Sequence, residues 1–118
     1  MHAGALSMSE PEMLRAPRDF AALQTGGRSR SHALLSIRVR RNELGRDRFG
    51  ISTGRRVGSA VVRNRVRRRV KEMLRHSVRP ASIGWDVLVV CRPASAAAGY
   101  GDLREALGRL LVLGTREG

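Results

Sequence analysis

Three stretches of this 118-residue chain predict an α+β fold. Residues 32–40, HALLSIRVR, alternate apolar and polar side chains from Leu35 on, as a strand with one buried face does. Residues 60–77 repeat apolar side chains every three or four positions, as a helix lying on a core does. Residues 85–93, WDVLVVCRP, are apolar on both faces until Arg92, as a central strand covered on both faces is. The length suits one hydrophobic core, so a single domain is expected.

Residues 1–12, MHAGALSMSEPE, carry no periodic pattern and are expected to be a disordered lead-in. The domain is then expected over 13–114, with 115–118 as a tail. A short helix is expected over 17–25, because Pro17 suits a first helical position and Gly26-Gly27 stop it. Leu14, Phe20 and Leu23 would pack together there. RSRS, 28–31, reads as a short edge strand. In the strand that follows, Leu35, Ile37 and Val39 point to the core, and Ser36, Arg38 and Arg40 point away. NELGRD, 42–47, is a turn; RFGIST, 48–53, is a strand with Phe49 and Ile51 inward and Ser52 outward. These two strands are expected to pair as an antiparallel hairpin.

In the helix over 60–77, Val62, Val66, Val70, Met73 and Leu74 fall on one stripe. Asn64, Arg67, Arg68, Lys71 and Arg75 face the opposite half. Arg79-Pro80 and Gly84 end this segment before the central strand. ASAAAG, 94–99, is a small-residue loop, and 101–113 form a last amphipathic helix through Leu103, Ala106, Leu107, Leu110 and Leu111. The order is α-β-β-β-α-β-α. The connection from strand 48–53 through the basic helix to the central strand is a crossover if those strands run parallel.

Charge narrows the function. The net charge is +13, and Lys71 is the only lysine. From Arg55 to Arg79 ten basic residues stand against one acid, Glu72, so about a fifth of the chain carries +9. A solvated helix face usually mixes both signs to gain i,i+4 pairs. Here Arg67, Lys71 and Arg75 repel one another at that spacing, which suits a bound polyanion better than water. Arginine grips phosphate with two parallel hydrogen bonds. An acidic protein or a membrane surface is the lesser alternative, and the valine-rich stripe without Trp or Phe anchors argues against the membrane. The arginine-dense helix leaves few side chains to read base edges, and no helix-turn-helix or zinc-finger spacing occurs. Recognition of phosphate positions and shape, as in a structured RNA, is therefore favoured over DNA.

Nothing in the sequence points to catalysis by the polypeptide. The ten acids are dispersed, and GRRVG is not a phosphate-binding P-loop. His2, His32 and His76 lack metal-ligand spacing, and no metal site is expected. Cys91 is the one cysteine and reads as a small core residue, not a nucleophile. No apolar run approaches the roughly 18 residues of a membrane span, and no secretion signal is seen, so a cytoplasmic location is expected.

The run RFGISTGRRVGSAVVRNRVRRRVKEMLR resembles the signature of the bacterial ribonuclease P protein component: a Gly-aliphatic-Ser strand, a basic turn, Gly-x-Ala-Val, then Arg-Asn-Arg on a basic helix. RDFAALQTGGRS upstream and WDVLVVCRPASA and YGDLREALGRLL downstream extend the resemblance over about residues 14–112. The resemblance implies a four-stranded sheet like that of a small-subunit ribosomal protein domain, with a left-handed crossover through the Arg-Asn-Arg helix. It implies a protein that joins a catalytic ribonuclease P RNA, one protein per RNA. That RNA removes the 5′ leader of precursor tRNA with Mg2+ held mainly by the RNA. Arg63, Asn64, Arg65, Arg67, Arg68 and Lys71, with Arg55 and Arg56 in the preceding turn, would contact the catalytic RNA. Phe20, Arg38 and Ser52 would line a cleft for the leader, with Phe20 read equally well as a core residue. Gln24 and Arg38 stand where relatives often carry aromatics, a change from stacking toward phosphate contact. The alternative is a basic ribosomal or ribosome-associated RNA-binding protein; an architectural DNA-binding protein is a third reading.

Overall fold

The run 85–91, apolar toward both faces, takes the centre of the sheet, where both its faces and both its edges are covered. The structure is a computed structural model describing residues 11–116; residues 1–10, most of the expected lead-in, and 117–118 lie outside the described residues. In chain order the elements are β1 (Glu12–Met13), α1 (Pro17–Gly26), β2 (Arg28–Ser31), β3 (Leu35–Arg41), β4 (Arg48–Thr53), α2 (Ala60–His76), β5 (Trp85–Cys91) and α3 (Tyr100–Thr115). Short 3₁₀ turns at Arg55–Val57 and Pro93–Ala96 precede α2 and α3. The sheet order is β1-β4-β5-β3-β2. β5 runs parallel to β4 and antiparallel to β3, so β4-α2-β5 is a crossover connection.

Three expectations are corrected. β3 and β4 do not form a hairpin: β5 lies between them and pairs Val87 with both Val39 and Phe49. A strand apolar on both faces gains most from an interior position, and local sequence proximity does not outweigh that. The sheet has five strands among the described residues, not four, because Glu12–Met13 adds a parallel edge to β4 and the Leu14 amide continues the pairing to the Phe49 carbonyl at 2.7 Å. Two residues are too few to leave a period. Thr115 is no tail residue: it is buried at the end of α3, where its Oγ1 donates to the Leu111 carbonyl and accepts from the Ala81 amide at 2.7 Å.

Alternation sorts the sheet into two faces. Leu35, Ile37, Val39, Val87 and Val89 meet α2 and α3 in the main core. Leu88 and Val90 turn to the other face, where Leu14, just after β1, and Phe20 and Leu23 of α1 lie over them. The trio expected from the sequence thus packs on the strand face opposite the main core. Val66, Val70 and Met73 of α2 are fully buried, worth roughly 1.5–3 kcal/mol each against exposure.

Cys91 is buried in the main core, as expected from its apolar run. Burial pushes its thiol up from 9.0 to about 11, against a smaller downward pull from the Arg67 charge. A proton held more tightly in the folded state stabilises the fold fully below about pH 9, and that stability is lost as pH rises through about 11. Denaturation midpoints between pH 8 and 11 should fall more steeply for the wild type than for Cys91→Ala, by about 2 kcal/mol over the window.

Candidate nucleic-acid interface

Local chemistry places the start of α2. Gly58, at φ +150°, turns the chain where a Cβ would press on Val62, and Ser59 caps the helix by accepting from the Val62 amide at 3.3 Å. The valine stripe is then seated on the sheet: Val66 and Val70 have no exposure and Val62 is half-buried against the core. Asn64, Arg68 and Lys71 are left exposed, and Arg63, Arg65, Arg67 and Arg69 are half-buried along the flanks.

The flank arginines are oriented by neutral acceptors. Arg65 Nη2 donates to the Ala96 carbonyl at 3.1 Å and Arg69 Nη1 to the Ala98 carbonyl at 3.4 Å. Arg67 donates to Asn64 Oδ1 at 2.8 Å and to Thr53 Oγ1 at 2.5 Å. Carbonyl, amide and hydroxyl oxygens fix direction without cancelling charge. The carboxylate on the helix, Glu72, sits one turn from the end beside Arg75 and His76, at 3.6 and 2.9 Å. Among the described residues no ion pair joins Arg63, Arg65, Arg67, Arg68 or Lys71 to a carboxylate. The buried Nε atoms of Arg63 and Arg65 have no hydrogen-bond partner. The helix thus presents uncompensated positive charge, directed by neutral acceptors at Arg65, Arg67 and Arg69, an arrangement suited to a polyanion.

A second basic element adjoins it. Arg55 and Arg56 stand exposed on the 3₁₀ turn between the C-terminal end of β4 and the start of α2. A recess of about 450 Å³ opens there, lined among others by Ser36, Ser52, Arg55, Arg56, Val90 and Arg92. Ser31, Ser36, Val90 and Ser52 form one register row across four strands on the face away from the main core. Ser52 is where its alternation put it, outward and exposed. Arg92 was not among the expected site residues; it follows a strand end, and the sequence does not tell which recess a strand end faces.

α1 borders the same face, and its seating separates the expected cleft residues. Phe20 is half-buried against Gly50, where a Cβ would lie 2.6 Å from the ring, so it packs on the strand and keeps an open edge. Arg38 does project to this face, but its guanidinium donates to the Leu23 carbonyl at 3.2 Å and the Gln24 carbonyl at 2.9 Å. It closes the C-terminal end of a helix whose last turn has no basic residue of its own. At the other end, Arg48 ties Asp19 of α1 to the buried Asp86 of β5.

The sequence model for ribonuclease P matches residues 8–113. The chain is 38% identical over 107 residues to the ribonuclease P protein component of Herpetosiphon aurantiacus, covering 88% of this chain and 85% of the relative. It is similar in structure to the RNase P protein from Thermotoga maritima, with TM-score 0.77 and 29% identity over 91% of this chain and 99% of that one. The Staphylococcus aureus RNase P protein shares the fold at TM-score 0.73 and 21% identity, over 84% and 91% of the two chains. No helix among the described residues is long and apolar enough to cross a membrane. A helix of uncompensated arginines, on this fold and among these relatives, is that of a tRNA-processing subunit: the chain belongs to the ribonuclease P protein component family.

Proposed function

We propose that the chain binds a catalytic ribonuclease P RNA through α2 and holds the 5′ leader of precursor tRNA on the sheet face beside α1. In this reading Arg63, Asn64, Arg65, Arg67, Arg68 and Lys71 meet phosphates of the catalytic RNA, and Arg55 and Arg56 extend that contact around the start of α2. Counterions released from those phosphates supply the affinity, so binding weakens steeply with salt. The leader runs over Ser52 and Val90 with Phe20 at its side, and Arg92 adds a charge to the same recess. Arg38 serves the leader by holding α1 as the wall of the cleft.

Hydrolysis belongs to the RNA and its Mg2+ in this reading, with one protein per RNA in the cytoplasm. Among the described residues no three His, Cys, Asp or Glu side chains are grouped to hold a metal ion. The protein's part is positioning and charge neutralisation. The left-handed sense of the β4-α2-β5 crossover belongs to the same reading.

One observation carries the proposal: Arg65, Arg67 and Arg69 of α2 are aimed by neutral acceptors, and among the described residues neither they nor Arg63 and Arg68 are paired with a carboxylate. The test is cleavage of precursor tRNA by a bacterial ribonuclease P RNA at low Mg2+, with and without the purified chain. Stimulation is expected; no stimulation, with stable co-sedimentation with ribosomes, would support the ribosomal alternative. Phe20→Ala should then raise KM for substrates with long leaders while leaving the KM of leaderless RNA near that of the wild type. An equal rise for both, with a lowered melting temperature, would assign Phe20 to packing alone.

A further inference from the structure

Thr53 is a buried polar residue, 7% exposed, at the last position of β4. Its register partner Cys91 is buried beside it, and its strand neighbour Ser52 points to the opposite face. A threonine in that position has a hydroxyl that must find a partner or lose hydration without return. It finds the Arg67 guanidinium, with Nη2 at 2.5 Å from Oγ1, while the other terminal nitrogen, Nη1, donates to Asn64 Oδ1 at 2.8 Å. The guanidinium is therefore held at two points, one on its own helix and one on the end of the strand that runs into Arg55 and Arg56.

We infer that Thr53 is a positioning residue for RNA binding, fixing Arg67 and tying the arginine face of α2 to the strand end that carries Ser52, Arg55 and Arg56. The inference rests on the ribonuclease P reading and adds to it a residue that touches no RNA. An arginine side chain left mobile loses rotamer freedom when it docks on a phosphate. One already clamped between a hydroxyl and an amide loses less. Asn64 alone restrains Arg67 only relative to α2. Thr53 restrains it relative to the sheet, and so sets its distance from the recess on the far side of the strand end. The acceptors are neutral, so the clamp leaves the charge of Arg67 intact for the phosphate.

The experiment measures binding of the full chain to a bacterial ribonuclease P RNA across a salt series, with melting temperatures recorded alongside. Thr53→Val keeps the β-branched shape and removes the acceptor. It should weaken binding about three- to tenfold, the worth of one immobilised side chain, with the salt slope unchanged because Arg67 still reaches its phosphate. Thr53→Ser restores the acceptor and should return affinity to within about twofold of wild type, as expected if the hydroxyl is the cause. Arg67→Gln should lower the slope by about one unit, and adding Thr53→Val to it should cost nothing further. Additive losses in the double variant, or equal weakening by Thr53→Ser and Thr53→Val, would overturn the positioning role. A drop in melting temperature that accounts for the whole binding loss would overturn it too. A wild-type chain with no saturable binding to that RNA would overturn the proposed RNA-binding function itself, and is recognised by failing before any variant is compared.

Discussion

Replacing Arg63, Arg65 and Arg68 together by glutamine should abolish tight RNA binding while leaving the fold at least as stable as before. Each arginine lost removes one phosphate contact, so the slope of log affinity against log salt should fall by about two to three units. At roughly 1 kcal/mol or more per charge-assisted contact, affinity should drop on the order of a hundredfold or beyond. The same change removes like charges crowded on one helix, and frees the fold of the Arg63 and Arg65 Nε donors that are buried without partners. Affinity and stability should therefore move apart, a pattern that a folding defect cannot give. Titration by filter binding or fluorescence anisotropy at several salt concentrations, beside a thermal melt, reads both. An unchanged slope would remove α2 from the RNA contact surface. Arg65→Ala alone should lower the slope by about one unit.

The contrast between that helix and the rest of the molecule shows what a sequence can tell. The valine stripe of α2 and the alternation of β3 report which side of an element is buried, and both were legible because burial repeats with the element's own period. The centrality of β5 was legible for the same reason. Neighbours across a sheet were not: β3 and β4 each carry a clean pattern that would suit a hairpin, and nothing local in them says that β5 slides between. Partners of polar side chains were equally hidden. Alternation put Arg38 on the outer face, yet its destination is the end of α1, set by how that helix crosses the sheet. Thr53 looked like an ordinary strand residue until α2 brought Arg67 over it. The resemblance proposed particular RNA-contact residues where charge density alone could only bracket a region, since phosphate-binding arginines differ from solvated ones in their surroundings, not in their type.

Asp86→Ala should be among the most destabilising single changes in the chain. Asp86 is 3% exposed and its two carboxylate oxygens take Arg48 Nε and Nη2 at 2.9 and 2.7 Å, with Asn42 Nδ2 at 2.8 Å on the first of them. The hydrogen bonding that Arg48 donates to Asp86 is the main reason its guanidinium is held above its ordinary pKa. Removing the carboxylate leaves a largely enclosed guanidinium and an amide without their acceptor. Loss of one partner of a buried pair costs 3–5 kcal/mol in general; Arg48 keeps about a fifth of its side chain in solvent, which argues for about 3 kcal/mol. For a domain of this size that is a fall in melting temperature of about 10–15 °C. The damage should reach the cleft as well, because Arg48 also meets Asp19 at 3.4 Å and so anchors the first turn of α1 to the sheet. The double change Asp86→Leu with Arg48→Met is the informative comparison. It removes both charges of the pair; Asn42 loses one acceptor but still donates to the Arg46 carbonyl, and Asp19 loses its contact, so it should recover more than half of the loss. If it melts as low as Asp86→Ala, the cost lies in packing at β5 and not in the stranded charge. If it recovers stability but leader-dependent KM stays raised, the pair exists to hold α1 over the cleft more than to hold the fold together.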